Sequence, residues 1–203
     1  SGTMALSERA VVDATLLAIE EINARGGVLN RQIEPIVVDG KSDAATFERE
    51  AERLIDKEKV ATVFGVWTSA SRKAVKPVFE KYNHLLLYPV QYEGLEDSAN
   101  IIYVGAAPNQ QAIPAVRWAL EKLKSKRFFL IGSDYVFPRA INAILRDVIT
   151  EAKSQIVGEK YVLLGETNFG PLVKKLAADK PDIIVNSING DSNFAFFRAL
   201  RAA

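Results

Sequence analysis

Polar and aromatic side chains gather in four segments, each of which follows a run of apolar residues. The first two segments are residues 67–69 and 88–93. The other two are residues 133–138 and 189–193. Aromatic walls with a few fixed hydrogen-bonding groups are typical of a pocket for a small, polar, largely uncharged ligand. The pattern therefore indicates that binding chemistry is located in these segments.

The same segments carry no recognisable catalytic motif. The chain has no cysteine, and its one histidine, His84, begins an apolar run instead of following one. A thiolate nucleophile, a cysteine-based zinc site and a multi-histidine metal site are therefore excluded. The glycine-rich phosphate-binding patterns and the G-x-S-x-G nucleophile turn are also absent. We expect no covalent chemistry, no cofactor and no bound metal.

Alternating helices and strands would position the four segments. Short, continuously apolar runs separated by amphipathic stretches predict βαβ units and a parallel sheet covered on both faces. Strands are expected at residues 33–38, 60–66, 84–88, 101–104, 127–132, 159–164 and 183–188. Helices are expected near residues 11–22, 43–55, 69–82, 109–124, 138–152, 169–178 and 191–203. Ser7, Asp43, Ser69 and Asp191 are the candidate N-caps.

The small and rigid residues at positions 105–109 predict a domain boundary. We place one lobe at residues 1–107 and a second at residues 108–203. Ligands of open parallel sheets bind outside the carboxyl ends of the strands. Because two of the four polar segments fall on each side of the boundary, the sequence predicts a ligand cleft between two lobes.

Composition narrows the class of partner. The chain has 203 residues, 48% of them hydrophobic and 25% charged, with a net charge of +1. Such a balance gives no electrostatic argument for nucleic-acid binding, and no apolar run approaches the roughly 18 residues that would span a bilayer. We therefore expect a globular domain without direct membrane insertion. No signal peptide is visible, and residues 1–4 read like the middle of a loop, so we expect chain upstream.

Five segments, in order along nearly the whole chain, resemble the type I periplasmic binding proteins. They are residues 65–75, 87–94, 107–110, 132–139 and 189–193. Within that family the segments are similar to the urea- and short-amide-binding branch, which is related to the leucine/isoleucine/valine receptors. The substrate-binding subunit of urea importers is the most similar group, followed by the cytoplasmic amide sensor that regulates amidase expression.

The resemblance implies an α/β, two-lobed fold in which parallel sheets are flanked by helices and a hinged cleft closes on the ligand. Compared with that fold, this chain begins after the expected first strand of lobe one. It ends before the C-terminal part of both lobes. We therefore expect a fragment of the complete two-lobed protein.

The resemblance also implies which residues contact the ligand. Segment 67–69 would supply a hydroxyl and backbone amides to a carbonyl, aromatic residues would exclude water, and Asp191 would accept N–H groups. The implied contacts are Trp67, Thr68, Ser69, Tyr88, Pro89, Val90, Gln91, Tyr92, Glu93, Tyr135, Phe137, Gly190 and Asp191. Amino-acid receptors of this family have a threonine at the position of Val90, where its hydroxyl helps to hold an α-carboxylate. Valine cannot do so, which favours an uncharged ligand.

The expected function is capture of urea or a short-chain amide and its delivery to the membrane permease of an ABC importer. This role would place the protein in the periplasm or outside the cell. One alternative is a ligand-sensing domain that binds the same ligand and acts on a signalling partner, in the cytoplasm if it is of the amide-sensor type. A second alternative is binding of branched-chain amino acids.

Overall fold

Seven helices and six strands alternate along the computed structural model, which describes residues 1–203. The helices are α1 (Ala5–Ala24), α2 (Ala44–Asp56), α3 (Ser69–Lys81), α4 (Ala112–Glu121), α5 (Val136–Glu151), α6 (Gly170–Asp179) and α7 (Ser192–Arg201). The strands are β1 (Val63–Phe64), β2 (Leu86–Tyr88), β3 (Ile101–Tyr103), β4 (Arg127–Ser133), β5 (Gln155–Val162) and β6 (Ile183–Ser187). No helix is both long and apolar enough to cross a bilayer.

The strands form two separate sheets of three strands each. The first sheet has the order β1-β2-β3 and the second the order β5-β4-β6, and every pairing is parallel. Parallel neighbours need a crossover connection, and the helices between the strands supply it. The expected α/β fold with parallel sheets and flanking helices is therefore confirmed, whereas the exact boundary at residue 107 stays a prediction.

Each sheet has its own apolar core. In the first, α2 and α3 pack on β2 through a cluster that includes Ile55, Phe79 and Leu86. In the second, successive residues of β4 point to opposite faces, so that Phe129 joins the cluster under α6 and α7 and Phe128 joins the cluster under α4 and α5. Strand β4 is thus covered on both faces, as its continuous apolar sequence predicts.

Two of the expected strands are wrong in part or altogether. Residues 33–38 pair with no strand, and Ile36 and Val37 are 43% and 59% exposed. Only Val63–Phe64 of the expected strand 60–66 is retained, because it pairs on one side alone and the chain turns at Gly65 and Val66, where φ is positive. Strand propensity yields a strand only where a ladder partner satisfies the backbone.

Helix α1 is present as expected but buries no residue completely. Leu17, for example, is 57% exposed. The helix begins at Ala5, so the N-cap position belongs to Met4 and the predicted cap at Ser7 is wrong. Asp43 is confirmed as the cap of α2, since its side chain accepts from the backbone N–H of Thr46 at 2.8 Å.

The remaining bounds differ by a few residues from those expected. Strand β5 begins at Gln155 instead of residue 159, because its ladder with β4 continues across Gly158, whose missing side chain leaves room for the ring of Phe129. Helix α5 begins at Val136, so Tyr135 takes the N-cap position with an extended backbone. This arrangement places Tyr135 at the carboxyl end of β4, facing the first sheet.

Candidate functional site

The start of α3 fixes the first predicted segment. Thr68 is the N-cap, with an extended backbone and a hydroxyl that accepts from the N–H of Ser71 at 3.0 Å. The predicted cap at Ser69 is therefore wrong, since Ser69 is already the first helical residue. The amides of Ser69 and Ala70, on the open first turn, have no hydrogen-bond partner in the chain. Because Thr68 caps the helix, the side chain of Ser69 is available for other partners.

A fully buried arginine, Arg72, organises the neighbourhood of Ser69. Its guanidinium donates through Nη1 to Ser69 Oγ (3.0 Å), through Nη2 to Glu93 Oε1 (2.9 Å) and through Nε to Glu96 Oε1 (2.7 Å). It lies 4.8 Å above the centre of the Tyr88 ring. Burial alone would lower the pKa of Arg72, but the hydrogen bond to Glu96 and the charge of Glu93 raise it above its usual value.

Glu96 is the second carboxylate of this cluster. Burial would raise its pKa, yet hydrogen bonds from Arg72, Lys73 and Tyr103 outweigh burial and lower the pKa to about 2. The Tyr103 hydroxyl donates to Glu96 at 2.7 Å, and burial together with this bond raises the pKa of Tyr103. Glu96 is therefore ionised at neutral pH and stabilises the buried cation.

The hydroxyl of Ser69 does not point its proton at the cleft. It donates to Glu93 Oε2 at 2.7 Å while it accepts from Arg72. Within the chain this hydroxyl proton therefore already has an acceptor, and its donation to a ligand carbonyl stays a prediction. The unpaired donors here are the indole N–H of Trp67 and the backbone amides of Ser69 and Ala70.

The buried side chain of Tyr88 fixes the position of the turn that follows β2. Tyr88 is fully buried, and its hydroxyl donates to the carbonyl oxygen of Trp67 at 2.7 Å. Burial is the main cause that raises the pKa of Tyr88. Gly105 permits the close approach of the turn, because a Cβ there would lie 2.0 Å from the carbonyl oxygen of Val90. Tyr88 thus supports the site from beneath, and the expectation that it forms an aromatic wall is wrong.

Residues of the second sheet approach from the other side. Tyr135 precedes α5 and Phe137 is its second residue. The Tyr135 hydroxyl makes no hydrogen bond within the chain; burial, together with the nearby Tyr88 and Glu93, raises its pKa. Asn189 is fixed by two bonds, from its N–H to Ser133 Oγ (2.9 Å) and from its Nδ2 to the carbonyl of Ser187 (3.1 Å).

One small cavity lies where these elements meet. Its lining residues are Trp67, Ser69, Val90, Gln91, Tyr135, Phe137 and Asn189. Its volume of about 10 Å³ is room for about one water molecule. Both sheets contribute to the lining, so the cavity lies between the two halves of the chain.

The cavity brings together six of the predicted residues and adds Asn189, which the sequence reasoning missed. The available signal was its position directly after the strand ending at Ile188, within the polar segment 189–193. The predicted residues that do not line the cavity are Thr68, Tyr88, Pro89, Tyr92, Glu93, Gly190 and Asp191. Tyr92 instead stacks on Tyr103, with ring centres 4.5 Å apart.

Gly190 and Asp191 contact the N-terminal segment of the chain. The backbone N–H of Asp191 donates to the carbonyl oxygen of Thr3 at 3.0 Å. The Asp191 side chain makes no capping bond and its backbone is already helical, so the predicted cap at the start of α7 is wrong. Gly190 has φ +67°, and a Cβ there would lie 2.3 Å from Thr3 O. This close backbone contact joins the two halves of the molecule.

The structure groups no three His, Asp or Glu side chains in a way that would hold a metal ion. The charged groups near the cavity are the paired ions Arg72, Lys73, Glu93 and Glu96, whose formal charges cancel. The arrangement is suited to reversible binding of a small polar molecule.

Known proteins with the same architecture are solute receptors. The chain is 20% identical to the Leu/Ile/Val-binding protein of Escherichia coli K12, over 82% of this chain and 46% of that protein. The isoleucine complex of LivJ from Streptococcus pneumoniae superposes with a TM-score of 0.82 at 26% identity, covering 92% of this chain and 53% of that one.

A third relative differs in its ligand. The solute-binding protein of an ABC transporter from Rhodopseudomonas palustris BisB5, in complex with 3,4-dihydroxybenzoic acid, gives a TM-score of 0.87 at 21% identity. The match covers all of this chain and 55% of that one. The chain spans about half the length of the curated relatives it matches. The family model described as periplasmic binding protein domain matches residues 1–203, and the chain therefore belongs to that family.

Proposed function

We propose that this chain is the ligand-binding part of a solute-binding protein for urea or a short-chain amide. The observation that carries the proposal is the lining of the inter-lobe cavity, whose uncharged polar and aromatic side chains suit a small uncharged ligand. The present space holds about one water molecule, so the walls must separate to admit even urea. An amide or urea offers both N–H donors and a carbonyl acceptor, and such groups match Tyr135, Asn189, Ser69 and the free amides at the start of α3.

Two features argue against a larger carboxylate ligand. Val90 is buried in the wall and offers no hydroxyl to an α-carboxylate. The carboxylate of Glu93 accepts the hydroxyl proton of Ser69 at 2.7 Å, so Ser69 Oγ has no donor left for an anionic group. Leucine or a benzoate is larger than urea and would require the walls to separate further than urea does.

Branched-chain amino-acid binding is the second candidate. The solved relative with isoleucine is 26% identical to this chain, and curated relatives are Leu/Ile/Val-binding proteins. The two candidate ligands differ in the group that must bind beside Ser69. Urea or a short amide places an amide group there, and a branched-chain amino acid places a carboxylate there.

Binding would act through closure of the two lobes. A ligand that contacts both Ser69 and Tyr135 favours the closed arrangement, because only there are both residues within reach. The closed protein would then dock on the permease of an ABC importer in the periplasm. No covalent step is part of this function.

Isothermal titration calorimetry of the full-length protein tests the proposal. The ligands are urea, formamide and acetamide, with leucine, isoleucine and 3,4-dihydroxybenzoate as competing candidates. We expect saturable binding of urea or a short amide and none of the three larger ligands. Tight leucine or isoleucine binding without binding of any amide would replace the proposal by the second candidate.

A further inference from the structure

Arg72 is a buried cation directly beneath the cavity wall. A buried charge is costly unless it is paired and hydrogen-bonded. Three of its donor groups meet Ser69, Glu93 and Glu96 within 3.0 Å, and the rings of Tyr88 and Tyr92 lie within 5.6 Å of it. The cluster therefore holds the Glu93 carboxylate rigidly behind Ser69, which lines the cavity, and leaves the Glu93 side chain only 10% exposed.

The direction of each hydrogen bond in the cluster follows from chemistry. A guanidinium can only donate and a carboxylate can only accept. Ser69 lies between them, 3.0 Å from Arg72 Nη1 and 2.7 Å from Glu93 Oε2. Its single proton must therefore be on the bond to Glu93, and the remaining lone pair of Ser69 Oγ can only accept.

The hydroxyl of Tyr88 is committed in the same way, since it donates to the carbonyl of Trp67. The two side chains that Arg72 holds at this end of the cleft therefore present acceptors: Ser69 Oγ, with Glu93 behind it. The free backbone N–H groups of Ser69 and Ala70 lie beside them and suit a carbonyl oxygen, whereas Ser69 Oγ suits an N–H group. Across the cavity, Tyr135 keeps an unused hydroxyl proton.

We propose that Arg72 is a positioning residue that holds Ser69 and Glu93 as hydrogen-bond acceptors, so that this end of the cavity selects a ligand N–H group and rejects a carboxylate. The inference rests on the proposed function and specifies its selectivity. Acetamide and acetate have nearly the same shape and differ in the group that Ser69 and Glu93 would meet. The native protein is expected to bind acetamide at least tenfold more tightly than acetate.

Glu93→Gln is the principal variant, because it keeps the shape and supplies a donor where the native protein has only acceptors. Glu96→Gln is the matched control: it also removes a carboxylate from Arg72, but Glu96 contacts neither Ser69 nor the cavity. Arg72→Lys keeps the charge and loses the branched donor geometry. Calorimetry with acetamide and acetate gives the affinity ratio, and thermal unfolding reports the stability of each variant.

A merely structural role would weaken both ligands equally and leave the affinity ratio unchanged. The proposal requires Glu93→Gln and Arg72→Lys to lower the acetamide-to-acetate ratio at least tenfold, while Glu96→Gln keeps it within about twofold. If Arg72→Lys does not fold, the two glutamine variants decide alone. A native ratio near one, or an unchanged ratio in Glu93→Gln, overturns the inference and leaves the proposed function standing. A native protein that binds none of the amides nor urea overturns both.

Discussion

Tyr135 faces the Ser69 side of the cavity with a hydroxyl that has no partner in the chain. Tyr135→Phe keeps the aromatic wall and removes that one donor. Because a neutral hydrogen bond contributes about 0.5–1.5 kcal/mol, affinity for acetamide should fall roughly twofold to tenfold. The thermal midpoint of the ligand-free protein should stay unchanged, since no bond of the folded chain is lost. A fall in the midpoint with native affinity would mean that Tyr135 has only a structural role.

At Asp191, the structural role of the backbone and the predicted ligand-binding role of the side chain can be tested separately. Its N–H bonds to Thr3, and its side chain caps no helix. Asp191→Asn should therefore leave the stability unchanged whatever the side chain does. If the carboxylate accepts amide hydrogens from the ligand, affinity should fall about tenfold to a hundredfold, because hydrogen bonds to charged groups contribute about 1.5–3 kcal/mol. Calorimetry and thermal unfolding of the variant measure both quantities, and native affinity would leave Asp191 with its backbone role alone.

At the scale of elements, the salt-bridge network ties α3 to the loop that follows β2. Glu96 has its pKa lowered from 4.5 to about 2 by partners that exist only in the folded state, chiefly Arg72 and Lys73. A lowered carboxyl pKa stabilises the fold above the unfolded-state value, and this contribution is lost as the pH falls through the folded-state value.

Glu96→Gln removes that contribution at every pH. The gap in free energy of unfolding between the native protein and the variant should therefore be widest above pH 5 and should narrow between pH 4.5 and 2. Thermal unfolding at several pH values in low-salt buffer measures the gap, because guanidinium chloride would screen the ion pairs and urea is a candidate ligand. A gap that stays constant down to pH 3 would show that Glu96 is not stabilised by its folded-state partners.

Helices, strands and caps were predicted correctly from the sequence where residues within the element itself determine its structure. Strand β4 reads as a buried strand in its own residues, and Asp43 reads as a cap. Residues 33–38 have equally good strand propensity but no ladder partner, and pairing is a property of two segments, not one. In the same way, the proton of Ser69 is committed by Glu93, twenty-four positions further along the chain. The loops that build the site could be located from sequence, whereas the direction of their hydrogen bonds could not.

At the scale of the whole molecule, two contacts hold the halves together. One is the cavity itself, where Ser69 and Val90 face Tyr135 and Phe137. The other is the backbone contact of Thr3 with Gly190 and Asp191, beside the buried Met4. The second contact uses backbone atoms of residues that do not line the cavity, so it can be perturbed without replacing a cavity side chain.

Gly190→Ala tests whether that contact belongs to ligand-driven closure. The new Cβ would lie 2.3 Å from Thr3 O at a φ of +67°, so the closed arrangement is both strained and sterically blocked. Affinity for the ligand should fall at least tenfold, and small-angle scattering should show less compaction on saturation. Gly26→Ala is the matched control, because it imposes an alanine at positive φ where no atom lies within 4 Å. Backbone strain should cost each variant about 1–2 kcal/mol of stability, and the clash with Thr3 O adds to that cost in Gly190→Ala alone. Only Gly190→Ala should change affinity. Native affinity and native compaction in Gly190→Ala would show that the lobes close without this contact.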